Sequence, residues 1–126
     1  MPQPQGLLYS KEHEWLKLDG DVGTIGITHY AQDALGDIVY VELPRVGTRV
    51  EQFANIGVIE SVKAVSDIFT PIGGEVIEVN PHAESDPAIV NREPYGGGWL
   101  LRLRVSDLSQ KDKLLTPSAY DALLAP

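Results

Sequence analysis

Residues 59–71, IESVKAVSDIFTP, place one lysine between two apolar, β-branched runs. From Val50 to Asn91, Lys63 is the sole lysine or arginine, and the same interval holds seven carboxylates: Glu51, Glu60, Asp67, Glu75, Glu78, Glu84 and Asp86. The two runs predict a pair of strands joined by a tight turn. We therefore expect a hairpin that presents a single, isolated ammonium at its tip.

Short segments of the same kind extend on both sides of this hairpin. Alternating or β-branched runs bounded by Gly, Pro, Asn and Asp predict strands, at residues 12–18, 22–27, 37–43, 54–61, 65–71, 73–80 and 99–105. Asp19-Gly20-Asp21 is a hairpin turn signal between the first two strands. Residues 44–50 are expected to form a turn, and the Pro-rich interval 80–98 mostly a loop, with one helical turn near Ala88.

Helical spacing occurs early in the chain and again at its end. Thr28 is a candidate N-cap and Gly36 a candidate C-terminal stop for a helix over residues 28–36. Ser106 is a candidate cap for a second helical segment, and Thr116 followed by Pro117 is typical of the start of a third. The sequence predicts a mainly β fold with minor α (α+β), in one domain of 126 residues. Its β-rich body is expected at about 20–105 and its C-terminal helical segment at 106–126.

Composition excludes several classes of function. The net charge is −8 and the pI is about 4.7, so the surface repels phosphate, and neither nucleic acid nor an anionic membrane is an expected partner. The chain has no cysteine, which removes disulfides, thiolate catalysis and cysteine metal sites. The three histidines, His13, His29 and His82, have no metal-ligand spacing, and we expect no metal.

The N-terminal residues lack the pattern of a secretory signal or a transit peptide, and no apolar run is long enough to span a membrane. We therefore expect a bacterial cytoplasmic protein; a mitochondrial location would require that a transit peptide had been removed.

Three chemical roles are open to Lys63. A lone lysine in a turn is most often a solvated charge. A Schiff-base lysine needs a lowered pKa, which the surrounding carboxylates oppose. An anchor for a carboxylic cofactor needs only an accessible amine with compact neighbours, and Ser61, Ala64 and Ser66 are compact. The anchor also explains why a chain with neither cysteine nor a catalytic cluster isolates one lysine.

The motif ESVKAVSDIFTPIGGEV, residues 60–76, resembles the lipoyl-lysine segment of the glycine cleavage system H-protein family. Glu60 stands three residues before Lys63, as in that family, and Gly47 and Gly74 match the glycines that flank the lysine of lipoyl domains. The resemblance continues in family order through YSKEHEW, GITHYAQDALGDIVYVELPRVG, PIGGEVIEVN and NREPYGGGWL to a C-terminal helix with a tyrosine.

This resemblance implies a flattened barrel-sandwich hybrid fold like that of lipoyl domains. It implies lipoic acid in amide linkage to Lys63, with Glu60, Gly47 and Gly74 recognised by a lipoylating enzyme. It also implies a cleft for the loaded arm near Glu14 and Asp67. The expected partners are the glycine decarboxylase (P-protein), the aminomethyltransferase (T-protein), dihydrolipoamide dehydrogenase (L-protein) and the lipoylating enzyme. The chain itself is expected to be a carrier and not an enzyme.

Alternatives to this interpretation remain. A biotin carrier also attaches its cofactor to one accessible lysine. That lysine lies between methionines, whereas Val62 and Ala64 flank Lys63 here. A phosphopantetheine carrier needs a serine at the start of a helix, whereas Ser66 lies in a predicted strand. An H-like donor of lipoate to other enzymes, or an unmodified interaction module, is also compatible with the residues.

Overall fold

The structure, a computed structural model, describes residues 3–125. The strands within this range are β1 (Leu8–Tyr9), β2 (Glu14–Asp19), β3 (Val22–Ile27), β4 (Ile38–Glu42), β5 (Arg49–Val50), β6 (Asn55–Ser61), β7 (Val65–Phe69), β8 (Gly74–Val79) and β9 (Leu101–Val105). The helices are α1 (His29–Leu35), α2 (Pro81–Ser85), α3 (Ala88–Arg92) and α4 (Pro117–Leu124), with a 3-10 helix at Leu108–Lys113.

The strands form two antiparallel sheets. One has the order β1-β2-β3-β9-β8-β5, and the other has the order β4-β6-β7. Buried residues of both sheets belong to one hydrophobic cluster, with Ile25 and Leu103 from the larger sheet and Ile59 and Ile68 from the smaller. Burying each such side chain contributes roughly 1.5–3 kcal/mol. The sheets therefore pack face to face, which confirms the mainly β, barrel-sandwich fold.

A separate aromatic cluster attaches the C-terminal helix α4 to the sheet. Tyr120 is buried and stacks on Tyr9, with the ring centroids 4.7 Å apart. The Tyr120 hydroxyl lies 2.8 Å from Thr28 Oγ1 and 2.7 Å from His13 Nδ1. The end of the chain is thus held against the segment that leads into α1.

Most of the predicted elements are present, because their signals are local. Each of the seven predicted strands is found, with ends that differ by no more than two residues. Thr28 caps α1 by accepting from the Ala31 N–H, and Gly36 ends that helix with φ 80°. Thr116 caps α4 by accepting from the Ala119 N–H, and Pro117 is its first residue. These caps confirm the predicted ends of α1 and the start of α4.

Other predictions need correction. The cap at Ser106 is wrong, because Asp107 takes that role by accepting from the Ser109 N–H. Helix α2 was expected to be loop, but Asn80 caps it and its first residue is a proline. The interval 44–50, expected to be only a turn, contains β5. The strands also begin at Leu8, ahead of the predicted start of the β-rich body at about residue 20.

Candidate functional site

Lys63 lies at the tip of the hairpin between β6 and β7. The Ser61 N–H donates to the Ala64 carbonyl across 2.8 Å and closes the turn. The Ser61 hydroxyl oxygen accepts from the N–H groups of Lys63 (3.3 Å) and Ala64 (3.1 Å). These bonds of Ser61 stabilise the backbone of the turn, and none of them uses the lysine side chain.

The lysine side chain is exposed and carries an uncompensated charge. Its neighbours Val62 and Val65 are 70% and 68% exposed. The ion pairs found within residues 3–125 are Arg49–Glu75, Arg92–Asp86 and Arg102–Glu78, and Lys63 takes part in none of them. An acyl group can therefore reach Lys63 Nζ, and the loss of its charge would break no ion pair.

The outer part of the lysine stem lies close to Gly36. Gly36 has φ 80°, and a Cβ built on it would lie 3.4 Å from Lys63 Cε. The stem therefore passes over the end of α1. A side chain at Gly36 would be strained by this backbone conformation and would press on the lysine.

The outer face of β7 runs from the lysine towards a cavity. Val65, Asp67 and Phe69 alternate with inward-facing residues along the strand, so they share this face. Val65 and Phe69 are four residues apart, a rise of about 13 Å. Asp67 lies midway and is exposed. A flexible arm on Lys63 would have a carboxylate beside its path along this face.

The cavity at the far end of this face has a volume of about 380 Å³ and is lined by Ser10, Lys11, Glu12, Phe53, Phe69 and Lys113. Phe53 has φ 66° although it is not a glycine. Large side chains rarely adopt this left-handed conformation, and residues held there cluster at functional sites. The two phenylalanines provide an apolar wall, and Lys11, Glu12 and Lys113 add charged groups to the lining.

Glu14 lies directly behind this wall. Its side chain is 2% exposed, and its carboxylate accepts from the Ser10 hydroxyl and from the Phe69 N–H. Burial raises the pKa of Glu14 to about 7, and the two hydrogen bonds only partly oppose this shift. Near neutral pH the group can exist as the acid or the carboxylate, and a nearby cation would favour the carboxylate.

The structure brings some of the predicted site residues together and leaves others apart. Glu14 contacts Phe69, and Asp67 lies two residues earlier on the same strand. Glu60 is in the hairpin, opposite Val65. Gly47 and Gly74 lie instead at the β5 end of the larger sheet, where Gly74 of β8 pairs with Val50 of β5 and Gly47 precedes β5.

Backbone geometry explains both of these glycines. Gly47 has φ 93° and donates its N–H to the Val76 carbonyl across 2.7 Å. A Cβ on Gly74 would lie 2.2 Å from the Arg104 carbonyl oxygen. Each position therefore requires glycine for the fold, whatever further role it has.

Sequence reasoning missed Ser10, Phe53 and Phe69 as cavity residues. Ser10 and Phe69 lie within the YSKEHEW and ESVKAVSDIFTPIGGEV segments, but neither segment indicates a cavity, because the cavity forms from parts of the chain that are distant in sequence. His13 also has a left-handed backbone, with φ 71°. It packs on Tyr30 with ring centroids 4.7 Å apart, and burial lowers its pKa.

Residues 3–125 contain neither a cluster of metal ligands nor a membrane-spanning helix. Over this range, no group of three or more His, Cys, Asp or Glu is placed to hold a metal ion. None of the helices described is long and apolar enough to cross a membrane.

Comparisons with known proteins agree on one family over most of the chain. The family model described as "Glycine cleavage H-protein" matches residues 7–126. The "Glycine cleavage system H protein" of Symbiobacterium thermophilum is 52% identical over 119 residues, covering 94% of this chain and 93% of the relative. That of Carboxydothermus hydrogenoformans is 49% identical over 121 residues, covering 96% and 93%.

A solved structure shows the same fold. The crystal structure of a glycine cleavage system H protein from Mycobacterium marinum superposes with a TM-score of 0.87 at 39% sequence identity. The match covers 94% of this chain and 96% of that one.

Proposed function

The chain belongs to the glycine cleavage H-protein family, and from this premise we propose that lipoic acid is attached by an amide bond to Lys63. The family is that of the lipoyl carrier of the glycine cleavage system, and this chain is such a carrier. A carrier component presents a group to other proteins and does not itself need a set of catalytic side chains.

The main support for the proposal is that Lys63 is exposed and is not part of any ion pair described above. Its amine is exposed at a tight turn and takes part in none of the ion pairs described. Acylation joins Nζ to the lipoyl carbonyl carbon as the bond from that carbon to its activating group breaks, and the ammonium gives up two protons and its charge. A lysine that stabilises the fold through its charge would therefore be a poor choice. The backbone bonds of Ser61 hold the turn whether or not the amine is modified.

In this proposal the cavity receives the end of the lipoyl arm that is distant from Lys63. Phe53 and Phe69 provide apolar surface for an aliphatic chain that ends in a sulfur ring. Once attached, the lipoyl group would supply a disulfide: one sulfur could take the aminomethyl unit left when glycine loses CO2, and the other sulfur would become a thiol. We propose that Glu14 and Asp67 hold the cationic amine of that unit, since carboxylates form charge-assisted hydrogen bonds to an ammonium.

The residues around the hairpin are proposed to guide its partners. Glu60 and Asp67 lie on the outer face of the smaller sheet with Glu42 of β4, whose partner in the register is Val58. An acidic face favours transient encounters with basic surfaces. In this proposal the lipoylating enzyme, the P-protein, the T-protein and the L-protein each reach Lys63 in turn, and the tethered arm provides a high effective concentration at each.

The comparisons with relatives favour the H-protein assignment over a biotin carrier. The relatives compared here are bacterial H proteins and not biotin carriers, and a bacterial cytoplasmic location is part of this proposal. A second role as donor of lipoate would use the same Lys63.

Intact mass spectrometry of protein purified from its native host, followed by peptide mapping, tests the proposal. We expect the mass of one lipoyl group on the peptide that contains Lys63. A biotinyl mass, or an unmodified lysine in cells with an active lipoylating enzyme, would overturn it.

A further inference from the structure

The hairpin tip makes few contacts with the rest of the protein. Residues 62–65 are all exposed. Besides the strand pairing of β6 with β4 and β7, the tip is joined to the body by one backbone hydrogen bond, in which the Val62 N–H donates to the Asp37 carbonyl across 3.0 Å. The lysine stem also passes over Gly36. The position of Lys63 therefore depends on how firmly the segment 36–38 is held.

The segment 36–38 connects α1 to β4, and one side chain from α3 holds it. Asn91 Nδ2 donates to the Gly36 carbonyl across 2.8 Å, and Asn91 Oδ1 accepts from the Ile38 N–H across 2.9 Å. These two bonds lie on either side of the Asp37 carbonyl that receives the Val62 N–H. One amide therefore clamps both ends of the short segment to which the hairpin is attached.

A second side chain holds the clamp itself in place. Asn91 Nδ2 also donates to Gln32 Oε1 across 3.0 Å, and Gln32 Nε2 lies 3.1 Å from His29 Nδ1. Gln32 is buried in α1. Both donor hydrogens and the acceptor of Asn91 are thus used, so its amide has one orientation.

We propose that Asn91, oriented by Gln32, is a positioning residue that fixes the Lys63 hairpin for the enzyme that acylates it. The proposal rests on the function assigned to Lys63 above and adds a residue remote in sequence. Without the clamp the hairpin samples other positions. If the enzyme requires one position, only the fraction of molecules with the hairpin in that position can be acylated. This raises the apparent KM and leaves kcat unchanged.

Hydrogen exchange tests the clamp directly and does not depend on lipoylation. In Asn91→Ala we expect the Val62 amide to exchange about tenfold faster than in the wild type, after correction for global stability. Gln32→Glu keeps an acceptor for Asn91 and should leave the Val62 rate within about twofold of the wild type, whereas Gln32→Ala should raise it. An unchanged Val62 rate in Asn91→Ala would overturn the proposal.

Asn80→Ala is the matched control. Asn80 is buried, donates to the carbonyls of Gly97 and Trp99, and accepts from the His82 N–H. It resembles Asn91 in making three side-chain hydrogen bonds, but it holds a different loop. Its loss should lower stability without changing the corrected exchange rate of Val62.

The acylation assay uses the full-length unmodified chain, a purified lipoate–protein ligase, lipoic acid and ATP, with the product measured by intact mass. We expect the KM for Asn91→Ala to rise about tenfold, equivalent to ~1.4 kcal/mol, with kcat within about twofold of wild type. An equal rise in Asn80→Ala would attribute the effect to global stability and overturn the positioning role. A wild-type chain that is not acylated at Lys63 would instead reject the proposed function, and the exchange experiment would still decide whether the clamp exists.

Discussion

The backbone N–H of Phe69 donates to the carboxylate of Glu14 across 3.2 Å and joins a strand of the larger sheet to a strand of the smaller one. The same carboxylate accepts from the Ser10 hydroxyl. Both partners of Glu14 line the cavity. Protonation of this one group is therefore coupled both to the packing of the two sheets and to the charge behind the cavity wall.

The raised pKa of Glu14 predicts that stability falls as pH rises. The group titrates at 4.5 when unfolded and at about 7 in the fold, so between these values the folded state binds more protons. From pH 4.5 to pH 8 we expect the ionisation of Glu14 to lower the free energy of unfolding by about 3 kcal/mol. Glu14→Gln removes the titration, and urea unfolding at several pH values should show a flatter profile for the variant.

The exposed Glu12→Gln substitution is the control, because it removes the neighbouring charge but not the buried one. It should keep most of the pH dependence of the wild type, because burial is the largest cause of the raised pKa of Glu14 and the charge of Glu12 is a smaller one. Parallel profiles for the wild type and Glu14→Gln would show that the folded protein does not raise this pKa.

Asp67→Asn is expected to shorten the lifetime of the aminomethyl-loaded arm and to leave the melting temperature nearly unchanged. Asp67 is exposed and lies between Lys63 and Phe69 along the outer face of β7, so it can hold a cation without supporting the core. The decay of the loaded form, followed by mass spectrometry, measures the effect. Asp19→Asn, an exposed aspartate at another hairpin, should have no effect on the decay. An unaltered lifetime in the double variant Glu14→Gln, Asp67→Asn would reject the carboxylate pair as the binding site for the amine.

The Tyr120 hydroxyl should contribute to stability through its two hydrogen bonds. Tyr120→Phe keeps the stack on Tyr9 and loses the bonds to Thr28 and His13. We expect a loss of about 1–2 kcal/mol, because two hydrogen bonds of a buried tyrosine are removed. Tyr30→Phe is the control: Tyr30 is 46% exposed, and its substitution should change the urea midpoint little. Equal midpoints for Tyr120→Phe and wild type would contradict a stabilising role for the hydroxyl.

Local signals explain what the sequence could predict. The lysine hairpin follows from two β-branched runs and the turn between them, and the Thr28 and Thr116 caps follow from a side chain that bonds a backbone group three residues away. At Ser106-Asp107 two adjacent residues are both able to cap, and the sequence does not distinguish them. The two-residue strand β5 shows no alternation, so it could not be recognised from its own residues.

The parts of the site that depend on distant segments could not be predicted in this way. The Glu14–Phe69 bond spans 55 positions, and the left-handed backbone of Phe53 has no signature in its residue type. Resemblance to a family pointed to Glu14 and Asp67 but not to their difference: one is buried beside the cavity and the other is in solvent. That difference is set by the packing of the two sheets.

Lys63→Arg is expected to abolish glycine cleavage and preserve the fold. Arginine retains the positive charge and much of the reach, and Lys63 is exposed and takes part in no ion pair of the described chain. Stability should therefore change by less than about 0.5 kcal/mol. A guanidinium stays protonated and is a poor acyl acceptor, so the amide cannot form.

Wild type and variant are incubated with a lipoylating system and then combined with the P-, T- and L-proteins. Glycine-dependent NADH formation should appear with the wild type alone, and the circular dichroism of the two proteins should agree. Activity from the variant, or a lipoyl mass on Lys11, Lys17, Lys111 or Lys113, would place the carrier site elsewhere in the chain.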